Sequence, residues 1–403
     1  LQWINNENWN VLGITFNIFM DDYGANLNYE TKIEEIEKLL TSWSFRNLTL
    51  LGKIAVIKSL AIPKLVHLFQ TLPNPTNAQL TKLNTQLYKF IWNNKPDKIS
   101  RKIIIRDIPE GGLRMCHIPS FVKSLKIMWL KSLLNCNYES DWKSLINVIL
   151  PSLSEKNFWS LNQKSLHSFS SKINNPFWKD VINAWGDYIG DPLELMEFLH
   201  QPLWNNNFIK IANKPVYWKR WVDAEIFYIY DILKNDGSFL SYTEFSQKFN
   251  VRSNFIDYFS IVSAIPKSWT KTFKETLKND PTYLTNPSNL SKFLASKDDS
   301  KSVYNNFIKR IVMPTIKSAE KWEKVLALNE KIQWRKIYGL PFSCVKETKI
   351  QCFQYKLLHR ILPSNKFLYQ IRYMDNPNCS FCGNEDETLE HLFFQCQHVF
   401  SLW

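Results

Sequence analysis

No run of about 18 apolar residues occurs in this 403-residue sequence, because Lys or Asn breaks every candidate span; a transmembrane helix is therefore not expected. A charged-then-apolar leader is also lacking, so the chain is not expected to be secreted. The absence of a G-x-x-x-x-G-K-[ST] loop excludes P-loop nucleotide binding, and no Ser/His/Asp or Cys/His arrangement suggests a nucleophilic enzyme. Cysteine is sparse. The seven are Cys116, Cys136, Cys344, Cys352, Cys379, Cys382 and Cys396, and an odd, scattered set does not read as a disulfide framework; a reducing compartment fits better. Acidic charge is short as well, leaving a net charge of +13 and a pI near 9.2, a balance that favours a polyanionic partner.

What is present is 45% apolar and 15% aromatic, enough for a real core, and the length suggests two or three domains. The first residue is Leu rather than Met, from which a fragment or an interrupted reading frame is expected. The positive charge is concentrated. Between Leu51 and Leu134 there are 14 basic and 3 acidic residues, a net of +11, whereas residues 1–50 carry a net of −4. Solvated helix faces usually interleave both signs, so this imbalance points to phosphate contacts more than to solubility alone.

Apolar spacing predicts a mainly helical chain. Ile33, Ile36, Leu39, Leu40 and Trp43 step at helical intervals within residues 30–45. Asn47 and Thr49 then offer caps for a second run in which Leu50, Ile54, Ile57, Ala61, Leu65 and Leu68 recur by three or four, with Pro63 expected to kink or split it. Lys53 and Lys64, eleven apart, fall about 20° apart around the axis, with His67 near the same stripe. A third helix is predicted from about Asn77 to Asn93, with Leu80, Leu83, Leu87 and Phe90 inward and Lys82 and Lys89 outward. Ile103 to Ile105 reads as a strand before a Gly111-Gly112 turn, and a further helix as running from about Ser120 to Leu134. Residues 135–330 show short helical patterns rich in Asn, Ser, Trp and Phe. Tryptophans there, such as Trp159, Trp178, Trp185 and Trp218, are better read as core than as base-stacking platforms.

Near the C-terminal end Cys379, Cys382, His391 and Cys396 form a C-x2-C-x8-H-x4-C spacing. The first pair, on a tight turn helped by Gly383, points two thiolates at one centre; the others come from a helix-like segment expected from about Glu387. Four N/S donors make a closed tetrahedral site, so a structural Zn²⁺ is expected, supplying much of the folding free energy of this small segment. His398 could stand in for His391, but two residues after Cys396 it would be strained into the same sphere. Phe381, between the first two ligands, is a candidate for stacking on unpaired bases.

Several landmarks resemble LINE-type (non-LTR) retrotransposon reverse transcriptases, and in that family's order. They are LGITF (Leu12 to Phe16), then Trp43, Arg46, Leu48, Thr49, Gly52 and Lys53 as W-x2-R-x-LT-x2-GK, then IKSLAIPKL, FIWNNKPDKISR and EGGLRM. W-x-K-x-YG (Trp334 to Gly339), FQYKLLHRILPSN and CSFC…ETLEHLFFQC…LW close the series. The resemblance covers about 1–134 and 331–403. It implies an edge of the catalytic palm at 1–29, a basic helical thumb at 30–134, a helical connecting region at 135–330 and a C-terminal helical segment with a zinc knuckle at 331–403. It further implies that template RNA, heteroduplex and target DNA are the partners during target-primed reverse transcription, in a nuclear or cytoplasmic ribonucleoprotein. An upstream palm and endonuclease of the same polyprotein are further partners in that picture. The expected phosphate contacts are Arg46, Lys53, Lys58, Lys64, Lys82, Lys89, Lys98, Arg101, Lys102, Arg106, Arg114, Lys123 and Lys126.

Phe19-Met20-Asp21-Asp22 looks like the F/Y-x-D-D turn that presents carboxylates to Mg²⁺ in polymerases. Two-metal chemistry needs further carboxylates from another palm strand, and only 20 residues precede Asp21. Order argues the same way, because the LGI strand normally follows the catalytic hairpin and here precedes Asp21. The motif is read as a coincidental polar loop, Mg²⁺ as belonging to a palm outside these residues, and the chain by itself as no polymerase. A zinc-stapled helical scaffold whose partners are proteins is the alternative from another class.

Overall fold

The computed structural model describes residues 8–17, 22–135, 140–251, 253–285, 288–311, 314–326 and 332–400. A hairpin comes first, β1 (Asn8–Val11) and β2 (Ile14–Asn17), antiparallel with Val11 opposite Ile14. Leu12 and Gly13 turn at φ 52° and 78°, the backbone a two-residue hairpin turn requires. The buried Asn28 side chain accepts from the Thr15 N–H at 2.9 Å and donates to the Thr15 carbonyl at 2.7 Å. The hairpin is thereby tied to α1 (Asp22–Ser44), which begins earlier than the periodicity indicated. Phe19, Met20 and Asp21 lie outside the described residues, and Asp22 opens the helix.

The second apolar run forms α2 (Leu50–Val56), a π-helical turn at Ile57–Ala61, and α3 (Pro63–Thr71). Thr49 caps α2 by accepting from the Gly52 N–H at 3.1 Å. The π turn sits just ahead of Pro63, whose ring cannot tolerate an ordinary i−4 carbonyl; the Ile62 N–H reaches the Ile57 carbonyl at 2.9 Å instead. The ladder is interrupted, yet Leu50, Ile54, Ile57, Ala61, Leu65 and Leu68 all remain buried. Helix α4 (Asn77–Trp92) carries a Thr76/Gln79 capping box and ends at Asn93 in the left-handed region.

One element differs from its reading. Ile103 to Ile105 is not a strand: Arg101–Ile104 is a short helix, α5. A three-residue apolar run carries no period of its own. Here the Ser100 carbonyl accepts from Ile103 N at 2.8 Å, and the Ile104 carbonyl is taken by Leu113 N and Met115 N at 2.9 and 3.1 Å. All three isoleucines are buried. Helix α6 (Ile118–Leu134) follows.

The fold is mainly helical, and the described residues divide into two compact units. One comprises the chain up to Leu68, Pro75–Pro119, and the chain from Ile308 onward; the other comprises Phe69–Asn74 and Ser120–Phe307. The second unit holds two aromatic-rich cores. Trp159, Trp178 and Trp185 lie inside one of them, and Trp218 is half-buried against Trp204 and Trp221, which belong to the other. The base-stacking role these residues were weighed against is not open to the three that are enclosed. Among the described residues no helix is long and apolar enough to cross a membrane.

Candidate metal centre

The C-terminal ligands are assembled by a short loop closed on itself. Asn376 Oδ1 accepts from Asn378 N at 2.8 Å, the Cys379 N–H donates to the Glu385 carbonyl at 2.7 Å, and the Gly383 N–H to the Cys379 carbonyl at 2.9 Å. Gly383 sits at φ +70°, where a Cβ would be strained. The second pair comes from a helical stretch beginning later than Glu387. His391–Gln395 is a π turn, and the Cys396 N–H closes onto the His391 carbonyl at 2.8 Å. Glu387 is instead a buried loop carboxylate that accepts from Asn365 N, Ser380 N and Ser380 Oγ at 2.9, 3.0 and 2.8 Å. Burial opposes its charge, but the Ser380 and Asn365 N–H groups outweigh that and hold the carboxyl below its ordinary value.

The donor atoms of Cys379, Cys382, His391 and Cys396 all lie within 4.8 Å of one another. The Cys379 and Cys396 sulfurs are 4.0 Å apart, and Cys382 Sγ lies 3.3 Å from His391 Nε2. Zn–S bonds of about 2.3 Å at tetrahedral angles require sulfurs roughly 3.8 Å apart, so the set fits zinc, and its four protein donors fill a tetrahedral shell with no position open to water or substrate. His391 Nδ1 lies 2.9 Å from the Glu385 carboxylate, a placement that orients the ring with Nε2 toward the metal. Backbone N–H groups of Asn384 and Glu385 pull the Cys382 thiol down to about 6, favouring the thiolate that a metal needs. Zinc, when bound, supplies cross-linking. His398 is exposed, and its imidazole is not among the clustered donors.

The centre belongs to the same unit as most of the basic segment, and the motifs of the two meet. The Gly111 carbonyl accepts from Tyr355 Oη at 3.2 Å and pairs with His359 Nε2 at 2.9 Å. The Tyr338 ring stacks on His359 with centroids 5.3 Å apart. Gly112 is required by crowding, since a Cβ there would stand 2.1 Å from the Arg106 carbonyl oxygen. Arg360 then lies over the Trp322 ring at 4.5 Å and pairs with Glu390, the neighbour of His391. EGGLRM, W-x-K-x-YG and FQYKLLHR are thus one packed assembly.

The expected phosphate contacts separate by burial. Lys58, Lys82, Lys89, Lys98 and Lys102 are exposed, with no ion pair recorded among the described residues. Arg46 is exposed over Trp43, its guanidinium 4.2 Å from the ring centre. Lys64, Arg101 and Arg114 are paired with Glu35, Asp97 and Asp107, and Lys123, in the second unit, with Asp187. Arg106 is half-buried and donates to the Pro314 carbonyl.

Lys53 and Lys126 stand apart from the other expected contacts by burial. Lys53 is buried, and its ammonium donates to the Phe90 carbonyl at 2.9 Å and to Asn93 Oδ1, satisfying groups at the end of α4. Lys126 has no exposed surface; it donates to the Leu72 carbonyl and lies 4.2 Å from the Phe177 ring centre. Neither ammonium reaches solvent, because each closes carbonyl groups left open inside its own unit. Partial burial, then the positive charges of Lys356 and Lys95, push Lys98 below its ordinary value; Lys95 was counted in the charge of 51–134 but not among the expected contacts, and Lys356 lies outside that segment. Lys356 was hidden by lying more than 250 residues along the chain from Lys98. Phe381 is exposed beside the metal ligands.

Residues 316–403 match the family described as zinc-binding in reverse transcriptase. That span takes in Trp322, the Trp334–Gly339 motif, His359, Glu387 and all four candidate ligands. The C-terminal part of this chain is a reverse-transcriptase-associated zinc-binding domain with a Cys3His donor set suited to a structural zinc ion.

Proposed function

We propose that the chain is the thumb-to-zinc-knuckle part of a LINE-type retrotransposon reverse transcriptase. In this reading it grips template RNA, RNA–DNA heteroduplex and target DNA, while Mg²⁺ chemistry belongs to a palm outside these 403 residues. The observation that carries it is the joining of the zinc-binding domain to the basic segment through Gly111, Tyr355 and His359. Residues that the resemblance sets far apart pack as one unit, and that unit exposes Lys58, Lys82, Lys89, Lys98 and Lys102. Such cations bind phosphates with little sequence preference and release counterions as they do so. A ribonucleoprotein in nucleus or cytoplasm is the setting that follows.

The test is binding of an RNA–DNA heteroduplex to the zinc-loaded full chain across a salt series. Tight binding at low salt with a steep fall as salt rises is expected. Affinity unchanged between low and moderate salt would overturn the phosphate grip. The second reading, a zinc-stapled protein-interaction scaffold, draws on exposed Phe255, Ile256 and Phe259 along the helix Phe255–Ala264. It requires that the zinc-loaded chain bind no nucleic acid at any salt concentration.

A further inference from the structure

Lys267–Leu277 is a helix in the unit built from Phe69–Asn74 and Ser120–Phe307, outside the segment 51–134 where the excess positive charge is concentrated. Its residues Trp269, Phe273 and Leu277 are buried, and Trp269 stacks on Phe198 with ring centroids 4.9 Å apart. Burial of that face decides which face is turned to solvent. Lys267, Lys271, Lys274 and Lys278 are all exposed, and their spacing of four, three and four residues sets them within about 60° around the axis. Lys278, the C-cap, keeps right-handed helical backbone at φ −60° and ψ −34°, so the line runs through it. The four span about 16 Å along the helix.

The acids nearest this line are engaged elsewhere or with one member of it. Glu275 stands about 40° to one side of Lys271, its carboxylate 3.7 Å from that ammonium. Asp280, beyond the helix end, accepts from the Thr282 N–H and hydroxyl at 3.1 and 2.5 Å. Asp236 lies in the turn where a Cβ on Gly237 would stand 2.3 Å from the Phe273 carbonyl oxygen, and it accepts from the Ser238 N–H and hydroxyl. Glu194 and Glu197 form a capping box on the helix Leu195–Leu199, which packs on the buried face through Phe198. Lys267, Lys274 and Lys278 have no ion pair recorded among the described residues.

A straight line of cations suits a regular polyanion. Duplex nucleic acid carries about one negative charge per 1.7 Å of its axis, so it presents phosphates along the whole length of such a line. An acidic protein would need carboxylates held at the same intervals. Trp269 and Phe273, the aromatic residues of this helix, are buried, so the face offers no ring on which unpaired bases could stack. Ammonium groups act as point charges and position a backbone without reading base edges.

We propose that Lys267, Lys271, Lys274 and Lys278 form a phosphate-contact track for duplex nucleic acid. The track rests on the nucleic-acid reading above and extends it to residues 267–278, which lie outside both the basic segment and the family match.

The test uses the zinc-loaded full chain with an RNA–DNA heteroduplex and with single-stranded oligouridylate, each across a salt series. Combining Lys267→Gln, Lys274→Gln and Lys278→Gln leaves the Lys271–Glu275 pair intact and is expected to keep the thermal midpoint. On heteroduplex it should lower the slope of log affinity against log salt by about three. Binding at moderate salt should weaken roughly ten-fold or more, equally for unrelated sequences, with a smaller change on the single strand. Lys267→Arg, Lys274→Arg and Lys278→Arg together are expected to retain slope and affinity. A slope that the glutamine substitutions leave unchanged, beside a steep slope for the unsubstituted chain, overturns the track and leaves the grip of the basic segment standing. The same holds for an equal loss in the arginine-substituted chain, or for a loss confined to the single strand. A flat slope for the unsubstituted chain overturns both.

Discussion

The two compact units solve the problem of burial differently. In the unit built from Phe69–Asn74 and Ser120–Phe307, indole rings carry much of the interior. Trp185 donates to the Trp159 carbonyl and Trp159 to the Leu153 carbonyl, both at 2.7 Å, so in that core these two rings leave water with their N–H groups satisfied; the buried Trp221 Nε1 of the other core is without a hydrogen-bond partner. At the C-terminal end of the other unit the buried side chains of residues 364–396 are Ser364, Cys379, Glu387, Leu389, His391 and Cys396. One aliphatic residue among them cannot drive a core. There a zinc ion, when bound, and a hydrogen-bonded carboxylate take the place of apolar burial, and Phe367, Tyr373 and Phe381 of the same segment are exposed.

Removing zinc is the strongest way to break this comparison. Chelation, or Cys396→Ser, is expected to cost that segment on the order of 10 kcal/mol of folding free energy. Hydrogen exchange should show amide protection lost across 364–396 and retained around Trp159 and Trp185. Protection that survives chelation at Cys379 to Cys396 would mean that apolar packing, not metal, holds the loop.

How much of this could be read in advance follows from which signals are local. The α4 boundaries, the Thr49 cap and the buried stripe from Leu50 to Leu68 were legible because period and capping depend on near neighbours. The four metal ligands were legible because their spacing is itself the chemistry. The isoleucines at 103–105 misled, since three residues cannot distinguish a strand from a turn of helix. The burial of Lys53 and Lys126 was not legible for a different reason: net charge counts an ammonium without knowing which carbonyls it will face. The packing of Tyr355 and His359 on Gly111 was invisible, because those landmarks lie more than 240 residues apart and nothing local announces their meeting.

A pH series should separate the units by their buried bases, the larger effect in the second unit. Burial, only partly offset by Asp180, pushes Lys126 down to about 7, against about 10.4 in an unfolded chain. The unfolded state then binds more protons between those values, so that unit's stability should rise from about pH 7 to pH 10, by on the order of 5 kcal/mol. In the first unit burial holds His359 down to about 4, with the Gly111 carbonyl opposing. Its contribution is complete above about 6.5 and is lost as pH falls toward 4, on the order of 3 kcal/mol. Acid also weakens thiolate ligation, so the measured quantity is the difference between the unsubstituted chain and His359→Gln at each pH. A difference that stays constant from pH 4 to 6.5 would show that the imidazole does not titrate as a buried base.

The smallest effect is the sharpest on the question of which cations face nucleic acid. Each phosphate neutralised adds about 0.9 to the slope of log affinity against log salt for DNA. Lys82→Ala, which removes an exposed ammonium from α4, should lower that slope by about one contact and weaken heteroduplex binding by roughly 1 kcal/mol. Lys53→Met removes an equal formal charge, but from beneath the end of the same helix, where the Phe90 carbonyl and Asn93 hold it. It should lower thermal stability and weaken binding only by loosening α4, leaving the slope unchanged. Lys126→Met, in the tryptophan-rich unit, should change neither slope nor heteroduplex affinity. A slope that falls for Lys53→Met as far as for Lys82→Ala would mean that the buried lysine is exposed when nucleic acid binds. In that event the division between internal and external charge drawn from the free chain would not hold in the complex.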